Sequence, residues 1–214
     1  MIQKSTLLVL SLGLLLFSGC ALKRDEISLH MPASEKPSND NGHTVYINSV
    51  IDKRMFELKP ALPSTPSLDP DELGNEEIRS RAIARKRNTY GKALGDIVLK
   101  DGQTIPSVIK DAVKLAFLEA GYNVIENKEN TTNKTFIVDV QIDKFWSWMN
   151  PGFWAMTLST EISTEISVKE NSDKREHTIY VKATDNYQTG VIGNWKEVMQ
   201  SAIKSYITKV KTKL

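Results

Sequence analysis

Thr104-Ile105-Pro106-Ser107-Val108-Ile109-Lys110-Asp111-Ala112-Val113-Lys114-Leu115-Ala116-Phe117-Leu118-Glu119-Ala120-Gly121-Tyr122-Asn123-Val124-Ile125 is the stretch from which the fold is read. Ile105, Val108, Ile109, Ala112, Val113, Ala116, Phe117 and Ala120 recur at steps of three and four, the spacing that lays one apolar stripe along a helix. Thr104 offers an N-cap hydroxyl, Pro106 falls in the first turn, and Gly121 closes the helix. Tyr122-Asn123-Val124-Ile125 then reads as a short strand. Upstream, the apolar run over residues 44–51 reads as the first strand. A strand, helix, strand order suggests a parallel pair around a crossover.

Downstream the period changes to two. Phe136, Val138, Val140 and Ile142 alternate with polar or outward residues. So do Trp154, Met156, Leu158, Thr160, Ile162, Thr164, Ile166 and Val168, and then Ile179, Val181 and Ala183. Each pattern means one buried and one wet face, and the turn at 170–174 joins the last two strands as a hairpin. A closing helix starts at an Asn194 cap with Glu197 three residues on. Its Trp195, Val198, Met199, Ala202, Ile203, Tyr206, Ile207 and Val210 repeat the helical spacing. Two amphipathic helices most simply cover one sheet face. The expected fold is therefore α+β and two-layered, with a mixed, mostly antiparallel sheet of about five strands and two long helices on one face.

Residues 52–103 form a long insertion. Pro60, Pro63, Pro66 and Pro70 argue against regular structure there. Residues 75–87 read as a short helix, with Asn75 as cap, Glu76 and Glu77 in the first turn and Arg85, Lys86 and Arg87 in the last.

The amino terminus carries a different signal. Lys4, the apolar run from Leu7 to Phe17, and Ser18-Gly19 before Cys20 have the order of a bacterial export signal. Cys20 is the only cysteine, and Leu16-Phe17-Ser18-Gly19-Cys20 resembles the lipobox of bacterial lipoproteins. That resemblance implies cleavage before Cys20, a diacylglycerol thioether on its sulfur and acylation (palmitate or similar) of the new amino group. An uncleaved anchor helix is the competing reading, but about 11 apolar residues fall short of the roughly 20 that span a bilayer. The chain thus divides into a signal peptide at 1–19, a lipidated flexible tether at 20–42 and one α+β domain at 43–214. At about 5–6 Å times the square root of its length, the tether reaches roughly 25 Å.

Composition is ordinary for a globular chain, 40% apolar and 25% charged. Lys4 is the only charge in residues 1–19, so the remainder has one base fewer than the 28 of the whole chain, against 26 acids. This balance argues against a nucleic-acid partner. With Cys20 consumed by lipid, neither disulfide, thiol nucleophile nor cysteine metal site remains, and no cofactor or metal is expected.

Two clusters are candidate contact sites. Phe145, Trp146, Trp148, Met149, Phe153 and Trp154 surround the turn Asn150-Pro151-Gly152. Such aromatics suit a partner interface or membrane headgroups, while Trp146 and Trp154 packing under the helices as core is the other open reading. Arg79, Arg81, Arg85, Lys86, Arg87 and Lys92 make a basic segment that would contact anionic lipid, or else form a solvated helix end paired with Glu76, Glu77 and Asp96. Its glycines lack the order of a phosphate loop. His30, His43 and His177 are scattered, with none of the spacings of a metal or nucleophile motif. Glu161 and Glu165 on one strand lie about 13 Å apart, so an enzyme is not expected.

The order of lipobox, tether, strand, long helix ending Gly121-Tyr122-Asn123-Val124, strand with aromatic loop, long hairpin and terminal helix resembles the YajG-like envelope lipoproteins of proteobacteria. Arg85-Lys86-Arg87-Asn88-Thr89-Tyr90-Gly91-Lys92-Ala93-Leu94-Gly95-Asp96 and residues 145–154 resemble blocks in uncharacterised lipoproteins of that kind. The insertion at 52–103 departs from the YajG-like pattern. The resemblance implies location and fold but no reaction. Ala21, where enteric bacteria place Asp to retain a lipoprotein at the inner membrane, implies delivery to the outer membrane. The expectation is a lipid-anchored periplasmic interaction module at the outer membrane, acting with an envelope protein partner in assembly, transport or maintenance. A module binding a small ligand or lipid between sheet and helices is the alternative, and an envelope hydrolase stands third.

Overall fold

The computed structural model describes residues 24–34 and 40–214. Its elements are β1 (Asp25–Ile27), β2 (Thr44–Asp52), α1 (Glu76–Arg81), β3 (Ala82–Arg87), β4 (Ala93–Leu99), α2 (Ile105–Glu119), β5 (Asn123–Ile125), β6 (Thr135–Pro151), β7 (Met156–Glu170), β8 (Asp173–Tyr187) and α3 (Ile192–Lys211). The expected helix at 104–120 is α2, and Thr104 caps it in a reciprocal box with Ser107. Gly121 closes it at φ 87°, a left-handed backbone that suits glycine.

The expected sheet needs correction. Among the described residues there are eight strands rather than about five, in the order β1-β4-β3-β6-β2-β5, with β7 also paired to β6 and β8 beyond it. Four of the strand pairings are parallel (β1 with β4, β2 with β5, β2 with β6, β3 with β6) and three are antiparallel. The mostly antiparallel expectation is thus overturned. It came from the long 135–187 stretch, which does form an antiparallel meander, while the extra strands lie where proline and charge hid them. Asp25–Ile27, read as tether, is a strand, with Ile27 and Leu29 buried. The expected helix at 75–87 stops at Arg81, and residues 82–87 run on as β3 with four consecutive buried residues. In addition α3 begins at Ile192 without a side-chain cap, and Asn194 instead donates to the Thr189 carbonyl at 2.8 Å.

β6 organises the molecule. Its first half pairs with β2, its second half meets β3 at Ser147, and its whole length pairs with β7. A bulge between Ile142 and Lys144 inverts the side-chain parity midway. Phe136, Val138, Val140 and Ile142 face the helices, and after the bulge Phe145 does so, while Trp146 and Trp148 turn to the opposite face. α2 and α3 lie side by side on the first face, over the main core. Tyr206 of α3 is fixed to β7 by a buried hydroxyl pair with Thr164, 2.9 Å apart.

Among the described residues, those that cover the second face lie at the β3–β6 end. There the proline-rich insertion lays Leu68, Phe56 and Leu73 over Trp146 and Trp148. The Trp146 indole N–H donates to the Pro63 carbonyl at 3.3 Å, and Phe56 meets its ring edge-on at 5.9 Å. The insertion and the aromatic block are halves of one small core.

Candidate functional site

The aromatic block divides. Phe145 and Trp146 are wholly buried, Trp148 nearly so and Met149 partly, whereas Phe153 is 91% and Trp154 83% exposed. The reading of Trp154 as a core residue of β7 is corrected, because β7 starts at Met156 and Trp154 lies in the preceding turn. Trp146 is core, but under the insertion rather than the helices.

The basic segment is largely consumed by internal partners. Arg81 donates to the Leu99 carbonyl at 2.8 Å and pairs with Glu26 at 2.9 Å and Asp101 at 2.5 Å. Lys86 pairs with Asp25. Arg79 places its guanidinium 5.3 Å from the Phe56 ring centre. Arg85 is buried between Asp69 and Asp96, the latter at 3.4 Å. Arg87 donates to Ser67 at 2.6 Å and to the Gly91 carbonyl at 3.2 Å, and burial lowers its pKa, with Arg85 adding to the effect. Lys92 is exposed. As a continuous surface for anionic ligands the six residues do not exist; only the Arg87–Lys92 end faces outward.

Around Arg85 lies the most unusual electrostatic feature. Asp69, Glu72 and Asp96 each offer an oxygen within 4.8 Å of the others, the one such carboxylate cluster among the described residues. Burial pushes the Asp96 carboxyl up to about 6; Arg85 opposes the rise and Asp69 adds to it. Arg85 and Arg24, the latter 2.5 Å from Glu72, supply the countercharge from within the chain. This network ties β1, β3, β4 and the insertion together.

Arg54 carried no sequence signal. It is 2% exposed and forks onto Asp52 with contacts of 2.8–3.1 Å. Its remaining N–H groups donate to the carbonyls of Ala82 at 2.7 Å, Phe145 at 3.0 Å and Arg79 at 2.6 Å. One guanidinium therefore joins β2, α1, β3 and β6.

Three loops meet at the end of the molecule where β6 turns into β7. A cleft of about 470 Å³ there is lined by Pro60 and Ala61 from the insertion, Asn88 and Tyr90 from the β3–β4 turn, and Met149 and Asn150 from β6. Leu58, Leu62, Tyr90, Phe153 and Trp154 are all exposed on these loops, as is Leu94 at the start of β4. Val191 and Ile192 are exposed beyond Gly190, which packs against Met156 at the root of the same turn. Eight of the eleven large apolar side chains exposed among the described residues thus gather at one end, a concentration that single scattered exposures do not produce. Within residues 58–63, 87–94, 149–155 and 188–192 the charges are Lys59, Arg87 and Lys92, with neither Asp nor Glu. The sequence reading found Phe153 and Trp154 but missed Leu58, Leu62 and Tyr90, because only the fold brings these loops together.

The apolar space between sheet and helices, where the alternative ligand site was expected, is filled by core side chains. The broad grooves lie elsewhere: at the loop end, and on the polar sheet face around Asp139, Glu165 and His177. Cys20 lies outside the described residues. No helix among the described residues is long and apolar enough to cross a membrane.

No family model and no curated protein matches the chain. Among solved structures, an uncharacterized protein is similar over 89% of this chain and 98% of its own, with 6% identity and a TM-score of 0.52, which shows a shared fold. A DUF330 protein from Xanthomonas campestris covers 88% and 91% at 12% identity with a TM-score of 0.44. Lipoprotein GNA1162 from Neisseria meningitidis covers 76% and 96% at 6% identity with a TM-score of 0.24. At these last two scores the likeness carries no argument about this chain.

Proposed function

We propose that this chain is a YajG-like envelope lipoprotein, held by acyl chains on Cys20 at the periplasmic face of the outer membrane, where its domain serves as a non-catalytic interaction module for an envelope protein partner. The observation that carries the reading is the export signal ending in Ser18-Gly19-Cys20, directly ahead of a folded domain. Anchoring confines the domain to a thin layer and raises its effective concentration towards partners in the same membrane, so a weak interface suffices. The side-chain inventory supports a binding rather than a catalytic role: the strongest electrostatic cluster, Arg85 with Asp69 and Asp96, is bound up in joining strands to the insertion.

Labelled palmitate is expected to incorporate into the wild-type protein and not into Cys20→Ser, which should leave the membrane fraction. A Cys20→Ser form that stays with membranes at the processed size would falsify the anchoring. Crosslinking in intact cells, followed by identification of the attached protein, is expected to return an envelope component.

A further inference from the structure

We propose that the loop end built from residues 58–63, 87–94 and 149–155 inserts into the headgroup layer of the same membrane that holds the Cys20 acyl chains. The inference rests on the lipoprotein reading and adds to it a membrane-binding surface and an orientation.

Chain length selects the occupant. Asp25 pairs with Ile97, Ile97 with Ala84 and Ala84 with Ser147, so the start of β1 stands level with Ser147 of β6. Ser147 is four residues from Pro151 at the loop end and twelve from Thr135 at the other end of the strand, roughly 13 Å against 40 Å at about 3.3 Å per residue. Cys20 precedes Asp25 by five residues. Whatever path they take, five residues span at most about 18 Å. The acylated sulfur can therefore reach the level of the loops and cannot reach the far end. β1 also runs parallel to β4, which leaves the β3–β4 turn, so the chain before Asp25 enters from the loop side.

The loop surface has the chemistry of an interfacial anchor. Trp154, Phe153 and Tyr90 are aromatics of the kind that settle at headgroup level, where an apolar ring meets water and dipoles. Leu58 and Leu62 provide aliphatic bulk between them. Lys59 and Lys92, exposed and unopposed by any acid on these loops, complement anionic headgroups, with half-buried Arg87 adding positive potential behind them. A protein partner or a second copy could cover apolar loops, but neither explains why these loops sit within reach of the lipid attachment point.

Trp154 provides the test, since all four tryptophans lie in the described residues and Trp146, Trp148 and Trp195 are buried. Full-length acylated protein is reconstituted into phosphatidylethanolamine–phosphatidylglycerol vesicles with and without brominated acyl chains. Its mass is taken on the same preparation. The expected result is an acylated protein whose emission shifts to the blue in vesicles and is quenched by the brominated lipid, with Trp154→Phe abolishing the quenching while leaving thermal stability unchanged. An acylated protein with unquenched Trp154 overturns the inference alone; sedimentation in detergent as a dimer would then give the loops to a second copy, and as a monomer to a protein partner. An unacylated mass overturns the lipoprotein reading and this inference with it.

Discussion

Arg54 and Asp96 show how single charges hold this sheet together. Arg54, itself shielded from water, serves Asp52 and three main-chain carbonyls at once, those of Ala82 and Phe145 fully buried with it. Removing one partner of such a group leaves the others buried and unpaired, so Arg54→Ala is expected to cost roughly 3–5 kcal/mol in denaturant unfolding. Arg54→Lys should recover only part of that loss, because an ammonium cannot reproduce the planar fork. Asp96 acts in the opposite sense. Its carboxyl titrates near 6 when folded against an ordinary 3.8, so the folded state disfavours the ionised form. Well below pH 3.8 the group is neutral in both states and imposes no penalty; the penalty grows as pH rises from 3.8 to about 6 and is complete above it. At about 1.4 kcal/mol per pKa unit it reaches the order of 3 kcal/mol. Stability of Asp96→Asn relative to wild type is expected to improve by that order between pH 4 and pH 7, measured by urea unfolding at each pH; a flat difference would refute the assignment. Arg54 was not legible in the sequence, and of Asp96 only its pairing with the basic segment was, not its burial. Asp52-Lys53-Arg54 and Gly95-Asp96 look like any charged surface pairs, and only the register of β3, β4 and β6 puts them out of water.

Among the elements, β6 and the proline-rich insertion depend on each other. The inserted position between Ile142 and Lys144 turns Trp146 and Trp148 away from the helices, and the insertion then gives them a roof. Trp146→Ala should cost about 3–5 kcal/mol, the range for emptying a large buried site, and should expose the 56–73 segment to limited proteolysis. By contrast, Phe153→Ser with Trp154→Ser should change stability by less than about 0.5 kcal/mol, since both rings are exposed. Equal effects of the two changes would contradict the division of the aromatic block. Much of the element structure was readable: α2 with its Thr104 cap and the alternating faces of β7 carry strong periodic signals, and the strand, helix, strand order marked β2 and β5 as parallel neighbours. What failed was short or two-sided. β3 is buried along Ala82-Ile83-Ala84-Arg85 and so shows no alternation, and its basic residues following an acidic turn imitate a helix end. β1 is three residues long, and its place is decided by β4 rather than by its own pattern. A period-two count also cannot foresee a bulge, so the open reading that put Trp146 under the helices has it on the wrong face.

For the molecule as a whole, the decisive fact is where the chain enters. Arg24 and Asp25 are already held by Glu72 and Lys86. The 23-residue tether expected at 20–42 is therefore interrupted by docked structure, and only the few residues before Arg24 separate Cys20 from the fold. β7 spans 15 residues, so the β7–β8 turn stands roughly 45 Å from the loop end. If the proposed acylation of Cys20 holds, a dye on Ser172→Cys labels that position alone and should transfer energy to headgroup acceptors as a fluorophore about that far from the bilayer. Transfer corresponding to half the distance or less would mean that the domain lies down. Held so short by the proposed lipid, the domain would behave as a post rather than a balloon on a string. It would sweep the membrane laterally while its outer hairpin kept one altitude, and whatever meets that hairpin would have to come to that height to find it.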